Sequence, residues 1–262
     1  MEEKQSGKVI NPITDVILRM AKIFTELGFS IVEGPELETE KYNFDLLNVP
    51  KDHPARDMQD TFWVKTKLNN SADNSPFLMR TQTSAIQARF MEKNKPPFKI
   101  VCPGKTYRKE ATDAGHELMF QQIEGLYVDK EVSLATLKTV LNKFFDRFFE
   151  KDVDVRFRSS YFPFVEPGAE IDISCFKCDG RKNPPKEGNC PVCKGSGWVE
   201  VMGAGIVHPK VLSDAGIDPN EWKGFAFGMG IERMAMLKYG IDDIRLFYSG
   251  DLRLVNQFRT KN

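Results

Sequence analysis

The sequence predicts an α+β fold in which a mainly antiparallel β-sheet is flanked by helices. One observation is a pair of strand-like segments near 98–108 and 118–128, joined by KEATDAGHE, which is too short for a helical crossover. Another is a set of further strands expected near 153–158, 168–174 and 197–203, the last two separated by a small cysteine-rich insert. We therefore expect the first pair to be antiparallel and the helices to lie beside the sheet.

The N-terminal part is expected to begin with a helix. Asn11 and Pro12 suit its N-cap and first helical position, and Gly28 ends it. The apolar residues between them recur at helical spacing and are Ile13, Ile17, Met20, Phe24 and Leu27. The elements expected next are a strand over 29–33, a helix near 36–47, loops over 48–60 and 68–76, and a helix over 83–93.

A second strong helix is expected between Ser133, its cap, and Phe149. Its apolar stripe consists of Leu134, Leu137, Leu141, Phe144, Phe145 and Phe148, which we interpret as core packing. Another helix is expected near 208–215. The segment FAFGMGIERMAMLKYG then predicts a strand, a glycine turn and a helix.

Composition limits the possible functions. The 262 residues suit one large domain or two small ones. Lys plus Arg and Asp plus Glu number 37 each, so RNA binding would need a local patch or a partner. No secretory signal is present, and no apolar run reaches the roughly 20 residues that span a bilayer. We therefore expect a cytoplasmic protein with no membrane partner.

Four of the five cysteines form two C-x-x-C pairs separated by eleven residues, namely Cys175 with Cys178 and Cys190 with Cys193. In a reducing compartment such pairs bring four thiolates together on Zn²⁺, so we predict a structural zinc site in an insert over 175–193. Reduced thiols in a flexible loop are the alternative. The fifth, Cys102, lies on a predicted strand and is expected to be a buried small residue.

Two segments place an arginine where a phosphate could bind. Arg108 ends a predicted strand, and its planar guanidinium can hold two phosphate oxygens. Glu110 points to the same face, so a surface ion pair is the alternative. Gly228 and Gly230 let a strand turn into a helix whose first turn carries Arg233, where a helix N-terminus also favours an anion. A turn that serves only packing is the alternative there.

A third segment, RSSYFPFVEPGAE, combines aromatic rings with an acid. Phe162 and Phe164 flank Pro163, so both rings are expected on one side, where they form a slot for a flat apolar group. Core filling is the alternative for the two rings. Glu166 follows, and it is either a Mg²⁺ ligand beside an ATP site or a solvated surface acid.

Several long segments together resemble the α subunit of bacterial phenylalanyl-tRNA synthetases, a family of class II enzymes. They are GFSIVEGPELETEKYNFDLLNVPKDHPARDMQDTFW, LMRTQTSAIQARFM, PGKTYRKEATDAGHELMFQQIEGLYVDK, RSSYFPFVEPGAEIDIS and GAGIVHPKVL with GFAFGMGIERMAMLKYGIDDIRLFY. Their order matches as well, and the likeness covers about residues 7–260. The resemblance implies a class II catalytic domain over 1–262 that activates L-phenylalanine with ATP and transfers it to the 3′ end of tRNA(Phe). It also implies a β-subunit partner in a two-α, two-β assembly.

The resemblance also implies roles at the ATP site. Arg108 would bind the α-phosphate and Arg233 the γ-phosphate, as the catalytic pair. His116 would reach the phosphates from the hairpin loop, and Phe120 would stack on adenine. Glu110 would contact either adenine or the substrate amine.

For phenylalanine, the resemblance implies that the substrate amino end meets Ser84, Gln122 and Glu124. The phenyl ring would lie between Phe162 and Phe164, on a floor formed by Ala226 and Gly228. Glu166 would be a Mg²⁺ ligand shared with the β subunit.

The chain departs from the family in two respects. Gln82 stands where the family usually has histidine, so this pocket side chain can form hydrogen bonds but cannot carry a charge. The family's N-terminal coiled-coil arm, which contacts tRNA, is expected to be absent. Two other functions remain as alternatives: an inactive synthetase-like paralogue that binds an amino acid or tRNA, and a zinc-dependent RNA-binding module.

Overall fold

The computed structural model describes residues 9–56, 61–65, 76–178, 190 and 192–258. The strands of these ranges are β1 (Ser30–Ile31), β2 (Leu37–Thr39), β3 (Trp63–Val64), β4 (Phe77–Met79), β5 (Phe98–Tyr107), β6 (Met119–Asp129), β7 (Val155–Phe162), β8 (Val165–Ser174), β9 (Trp198–Val207) and β10 (Lys223–Gly230). The α-helices are α1 (Pro12–Glu26), α2 (Glu40–Asn43), α3 (Ser84–Lys93), α4 (Leu134–Phe149), α5 (Pro209–Asp214), α6 (Ile231–Tyr239) and α7 (Leu252–Val255). Short 3-10 turns cover Asp45–Leu47, Pro54–Arg56 and Ile244–Phe247. The loop expected over 68–76 lies, except for Pro76, outside the described residues, as do 57–60 of the preceding loop and most of the cysteine insert.

Seven of these strands form one sheet in the order β1-β5-β6-β10-β9-β8-β7, and a smaller sheet has the order β2-β4-β3. Within the large sheet β1 pairs with β5 in parallel, and the other pairings are antiparallel. The predicted α+β class is therefore confirmed, and so is the antiparallel pair formed by β5 and β6. None of the helices in the described ranges is both long and apolar enough to cross a membrane.

The two strongest helices begin at the predicted caps. The side-chain oxygen of Asn11 accepts a hydrogen bond from the N–H of Ile13 at 2.9 Å, at the start of α1. Ser133 Oγ accepts from the N–H of Thr136 at 3.2 Å, at the start of α4. Each cap satisfies a backbone donor that a helix leaves unpaired in its first turn.

The segment 36–47 differs from the single helix that its sequence predicts. It forms strand β2, then α2 and a 3-10 turn, and Leu37 pairs with Met79 across β2 and β4. Glu38 is fully buried and accepts from Arg89 Nε at 2.6 Å. Sheet pairing and a buried ion pair with a residue far along the chain thus override the local preference for helix.

One face of the large sheet forms the main core with α1, α4 and α6. Phe24 of α1 stacks between Phe144 of α4, at 4.5 Å between ring centroids, and Phe227 of β10, at 5.1 Å. All three rings are buried, and burial of each stabilises the fold by about 1.5–3 kcal/mol. Because side chains alternate along a strand, Ala226 and Gly228 point to the opposite face, where Ala226 packs against a second apolar cluster that includes Leu126 and Val128.

Candidate active site

The face of the sheet opposite the main core carries a strip of residues whose own side chains are absent or small. Gly228 on β10 pairs with Gly203 on β9, and Ala226 pairs with Gly205 on the same two strands. We call these four residues the glycine floor. It provides a flat surface on which a ligand or another side chain can lie against the backbone.

Three side chains lie directly over this floor, and one of them is Val165, whose Cβ atom would be 2.8 Å from a Cβ atom at Gly205. A Cβ atom at Gly203 would lie 3.0 Å from Cζ of Phe162, and one at Gly228 would lie 2.9 Å from Cγ of Glu124. Because Gly203 and Gly228 are cross-strand partners, about 4.8 Å apart, the aromatic ring and the carboxylate are neighbours.

Phe164 completes the aromatic part of the site. Its ring stacks on that of Phe162, with centroids 6.0 Å apart and an angle of 23° between the ring planes. The expectation that both rings lie on one side is confirmed. Both side chains are only partly buried, so they are not pure core residues, although Phe164 also contacts two apolar clusters behind the site.

Glu124 is held in place by the start of α3. Its carboxylate accepts hydrogen bonds from the N–H of Thr83 at 3.0 Å, from the hydroxyl of Ser84 and from Nε2 of Gln87 at 2.9 Å. Burial raises the pKa of Glu124, and the donors from Ser84 and Thr83 offset part of that rise. Thr83 and Gln87 were not anticipated as site residues; the signal for them is that they are buried polar residues one turn apart at the beginning of a helix.

Gln122 lies one step nearer the end of the sheet, between Gly104 on β5 and Gly230 on β10. Its Oε1 atom is buried and has no hydrogen-bond partner within the described part of the chain. The Nε2 atom of Gln82 donates to the carbonyl of Asn43 at 3.4 Å. A buried amide oxygen that lacks a donor is suited to accept one from a ligand.

Arg108 follows the end of β5. Its guanidinium lies 5.1 Å above the ring of Phe120, and its Nε donates to the carbonyl of Thr81 at 3.2 Å. Glu110 is 4.0 Å from Nη1, which is the limit for an ion pair. The Arg108 side chain is 39% exposed, so its terminal nitrogens remain accessible to an anion.

Arg233 lies at the same end of the sheet. It is exposed in the first turn of α6 and forms no ion pair or hydrogen bond with the described residues. Partial desolvation lowers the pKa of its guanidinium, and the negative charge of Glu200 offsets part of this shift. The preceding Glu232 is buried and accepts hydrogen bonds from the N–H of Gln121 at 2.9 Å and from the hydroxyl of Tyr248. Since Gln121 follows Phe120, which lies under Arg108, this contact links the surroundings of the two arginines.

Burial raises the pKa of Glu232 to about 7. The N–H of Gln121 and the hydroxyl of Tyr248 favour the charged form and oppose this rise. Glu232 and Tyr248 were not anticipated from the sequence, because neither has a local signal beyond its place next to Arg233 or near the C-terminus.

His116 and Glu166 lie on exposed parts of the site. His116 Nδ1 is 2.9 Å from Asp113 Oδ1 in the loop between β5 and β6, and Ile244 donates to the Ala114 carbonyl of that loop at 3.0 Å. Glu166 is 76% exposed, and its carboxylate lies 3.4 Å from Nε2 of His208.

An ion-pair cluster on β7, β8 and β9 borders the far side of the floor. Arg158 pairs with Glu170 at 2.8 Å, with Asp172 at 2.6 Å and with Glu200 at 2.9 Å. Glu170 is the cross-strand partner of Gly203, so the ion-pair cluster lies next to the glycine floor on β8. Alternating charges in RFRSS and EIDIS are the sequence signal for these pairs.

The four cysteines of the insert converge. The Sγ atoms of Cys175, Cys178, Cys190 and Cys193 all lie within 4.8 Å of one another. Cys175 Sγ is 3.8 Å from Cys190 Sγ, and Cys178 Sγ is 3.5 Å from Cys193 Sγ. Four thiolates around Zn²⁺ at about 2.3 Å would be separated by about 3.8 Å, so the spacing fits this ion. The fifth cysteine, Cys102, is buried on β5 as expected.

Comparisons with known proteins relate most of the chain to one family. Residues 1–258 match the family described as the tRNA synthetases class II core domain (F). The chain is 55% identical over 249 residues to the phenylalanine–tRNA ligase alpha subunit of Dehalococcoides mccartyi, covering 95% of this chain and 69% of that protein. The subunits of the same name from Shouchella clausii, at 54% identity, and Bacillus subtilis, at 52%, cover 95% of this chain and 69% and 68% of their own lengths.

Proposed function

Because the chain belongs to the class II core family of tRNA synthetases, among the phenylalanine–tRNA ligase alpha subunits, we propose that its glycine floor is the phenylalanine and ATP site. The observation that carries this proposal is that Phe162 and Glu124 cover two glycines that are cross-strand partners, Gly203 and Gly228. An apolar ring and a buried carboxylate side by side match the two ends of a phenylalanine molecule.

The substrate phenyl ring would lie against Phe162 and Phe164, above Ala226 and next to Gly228, which Glu124 covers. Its ammonium group would approach Glu124 and the unpaired Oε1 of Gln122. Ser84 would act mainly through Glu124, since its hydroxyl already donates to that carboxylate. Gln82 would line the same end of the pocket.

ATP would bind at the end of the sheet where both arginines lie. Adenine would stack on the side of the Phe120 ring opposite Arg108, Arg108 would hold the α-phosphate, and Arg233 the γ-phosphate. His116 would reach the phosphates from its loop, and Glu110 would contact adenine or the amine. Stacking on Phe120 and bonding to the Thr81 carbonyl already hold Arg108 in place, which reduces the rearrangement needed on binding.

The chemistry then follows from positioning. A carboxylate oxygen of phenylalanine attacks the α-phosphorus in line, and the bond to pyrophosphate breaks, which leaves phenylalanyl-adenylate. A ribose hydroxyl of the tRNA 3′ end next attacks the carbonyl carbon, and AMP leaves. Such a reaction needs alignment and stabilisation of charge rather than a protein nucleophile.

The four cysteines offer a complete set of ligands for Zn²⁺, whereas Glu166 offers only one ligand for Mg²⁺. The cysteine set offers a closed tetrahedral site, so Zn²⁺ would be structural and would tie the end of β8 to the start of β9. Glu166 offers one exposed carboxylate, and within the described residues no group of three metal-binding side chains includes it. That suits Mg²⁺, which often uses one or two carboxylates together with substrate phosphates, and a partner subunit could add the rest.

We further propose that the chain works with a β subunit in a two-α, two-β assembly and that tRNA(Phe) is its second substrate. The relatives' names as alpha subunits support a partner. The chain carries as many acidic as basic residues, so tRNA affinity would come from local contacts and the partner.

The test is phenylalanine-dependent exchange of pyrophosphate into ATP, measured with and without the β subunit. The assembled enzyme should exchange with phenylalanine, and about 10²-fold less efficiently with tyrosine, since an apolar slot rejects one added hydroxyl only weakly. An assembled enzyme that exchanges with no amino acid would instead support an inactive paralogue.

A further inference from the structure

We infer that Asn48 is a positioning residue for phenylalanine specificity, because it holds the turn that carries Phe162 and Phe164. The inference rests on the proposed function of that pocket. Nδ2 of Asn48 donates to the carbonyl oxygen of Pro163 at 2.7 Å. Pro163 is the residue between the two rings, so this one hydrogen bond acts on both of them.

The turn needs support from outside its own hairpin. β7 is an edge strand of the large sheet, and its pairing with β8 is regular to Ser160 and shifts before Phe162. Beyond that shift, carbonyl groups of the turn between β7 and β8 accept two hydrogen bonds from residues distant in the sequence. One is from Asn48 to Pro163, and the other is from the N–H of His208 to the carbonyl of Phe164 at 2.9 Å.

Asn48 itself is held firmly. It ends the 3-10 turn Asp45–Leu47 in the left-handed region, with φ of 56°, and its N–H donates to the Asp45 carbonyl at 3.2 Å. Arg56, which is buried, donates to Asp45 at 2.8 Å and to the carbonyl of Val49. The side-chain amide of Asn48 therefore extends from a well-supported segment and can fix the position of the turn at Pro163.

A substitution that removes the donor at position 48 abolishes this bond. The Pro163 carbonyl can only accept, so the residue at position 48 must donate. Asn48→Asp keeps the size and the tolerance for positive φ but places a carboxylate against a carbonyl oxygen. Asn48→Gly removes the donor at a position where glycine adopts the backbone conformation without strain.

The experiment measures pyrophosphate exchange in the assembled enzyme for both variants. Since loss of a partner leaves the Pro163 carbonyl unsatisfied, KM for phenylalanine should rise about 10-fold, while KM for ATP changes less than about 2-fold. The ratio of the exchange efficiency with phenylalanine to that with tyrosine should also change. The matched control is Asn94→Asp, which removes a similar amide-to-carbonyl bond, from Asn94 to Phe90 at 2.8 Å on the surface, and should leave both KM values unchanged.

The outcomes separate the two proposals. If the wild-type enzyme activates no phenylalanine, the proposed function fails. If the wild type is active and Asn48→Asp and Asn48→Gly retain its KM for phenylalanine, only the role of Asn48 is overturned. Equal increases in both KM values would likewise overturn it, because they indicate a general loss of structure.

Discussion

Glu124 lies directly above Gly228, its cross-strand partner on β10, and leaves no room for a side chain there. A Cβ atom at position 228 would lie 2.9 Å from Cγ of Glu124 and 3.4 Å from its carboxyl carbon. The buried carboxylate of Glu124 therefore requires glycine at position 228, in addition to the hydrogen-bond donors at the start of α3.

Gly228→Ala should therefore displace Glu124 and disturb the amino end of the phenylalanine pocket. Because overpacking at such a site costs about 1–3 kcal/mol, we expect KM for phenylalanine to rise about 10-fold or more. Pyrophosphate exchange at varied phenylalanine and varied ATP measures this. An unchanged KM for phenylalanine would show that Glu124 can shift without consequence for the substrate.

Arg108→Ala should slow activation by at least about 3 kcal/mol in the barrier, since a donor that stabilises developing charge is lost. The rate of pyrophosphate exchange at saturating substrates is the measurement. Arg253→Ala is the control, because Arg253 is 90% exposed and, within the described ranges, forms its ion pair with the nearby Asp251. A near-normal exchange rate in Arg108→Ala would contradict the catalytic role of Arg108.

Glu232 should make the stability of the fold depend on pH. Its pKa rises from an ordinary value of 4.5 to about 7 in the folded protein, so the folded state binds the proton more tightly than the unfolded state. The stabilisation is therefore complete below about pH 4.5 and is lost as pH rises through about 7. Between pH 4.5 and pH 8 the wild type should lose about 1–3 kcal/mol more unfolding free energy than Glu232→Gln.

Denaturant unfolding of both proteins across this pH range measures the difference. Glu232→Gln retains an acceptor for the N–H of Gln121 and cannot titrate, so the comparison isolates this one carboxyl from others such as Glu124. Parallel stability curves for the two proteins would contradict the shifted pKa.

Cys190→Ala should abolish zinc binding, because three remaining thiolates do not complete a closed tetrahedral site. The zinc content of the purified protein, by atomic emission, should fall from equimolar to near zero, and the melting temperature should fall with it. Cys102→Ala is the control, since Cys102 lies apart from the cluster in another part of the core. Equal zinc content in both variants would exclude the cysteine set as the zinc site.

Much of the fold could be predicted because its signals are local. Asn11 and Ser133 cap helices through contacts two or three residues away, and the short connection between β5 and β6 allows only an antiparallel pair. The convergence of the cysteines was also predictable from their spacing. The helix expected near 36–47 was wrong over β2, because pairing with β4 depends on residues about forty positions further along the chain.

The sequence by itself determined the fold class, the family and the residue types that the site can use. Only the tertiary structure decided how these residues are supported: Glu124 by Thr83 and Gln87, and the turn at Pro163 by Asn48. The physical reason is the separation along the sequence of the groups that interact. Caps, turns and periodicity arise from interactions within a few residues, whereas a buried carboxylate or a turn at a sheet edge is held by whichever distant groups the fold brings to it.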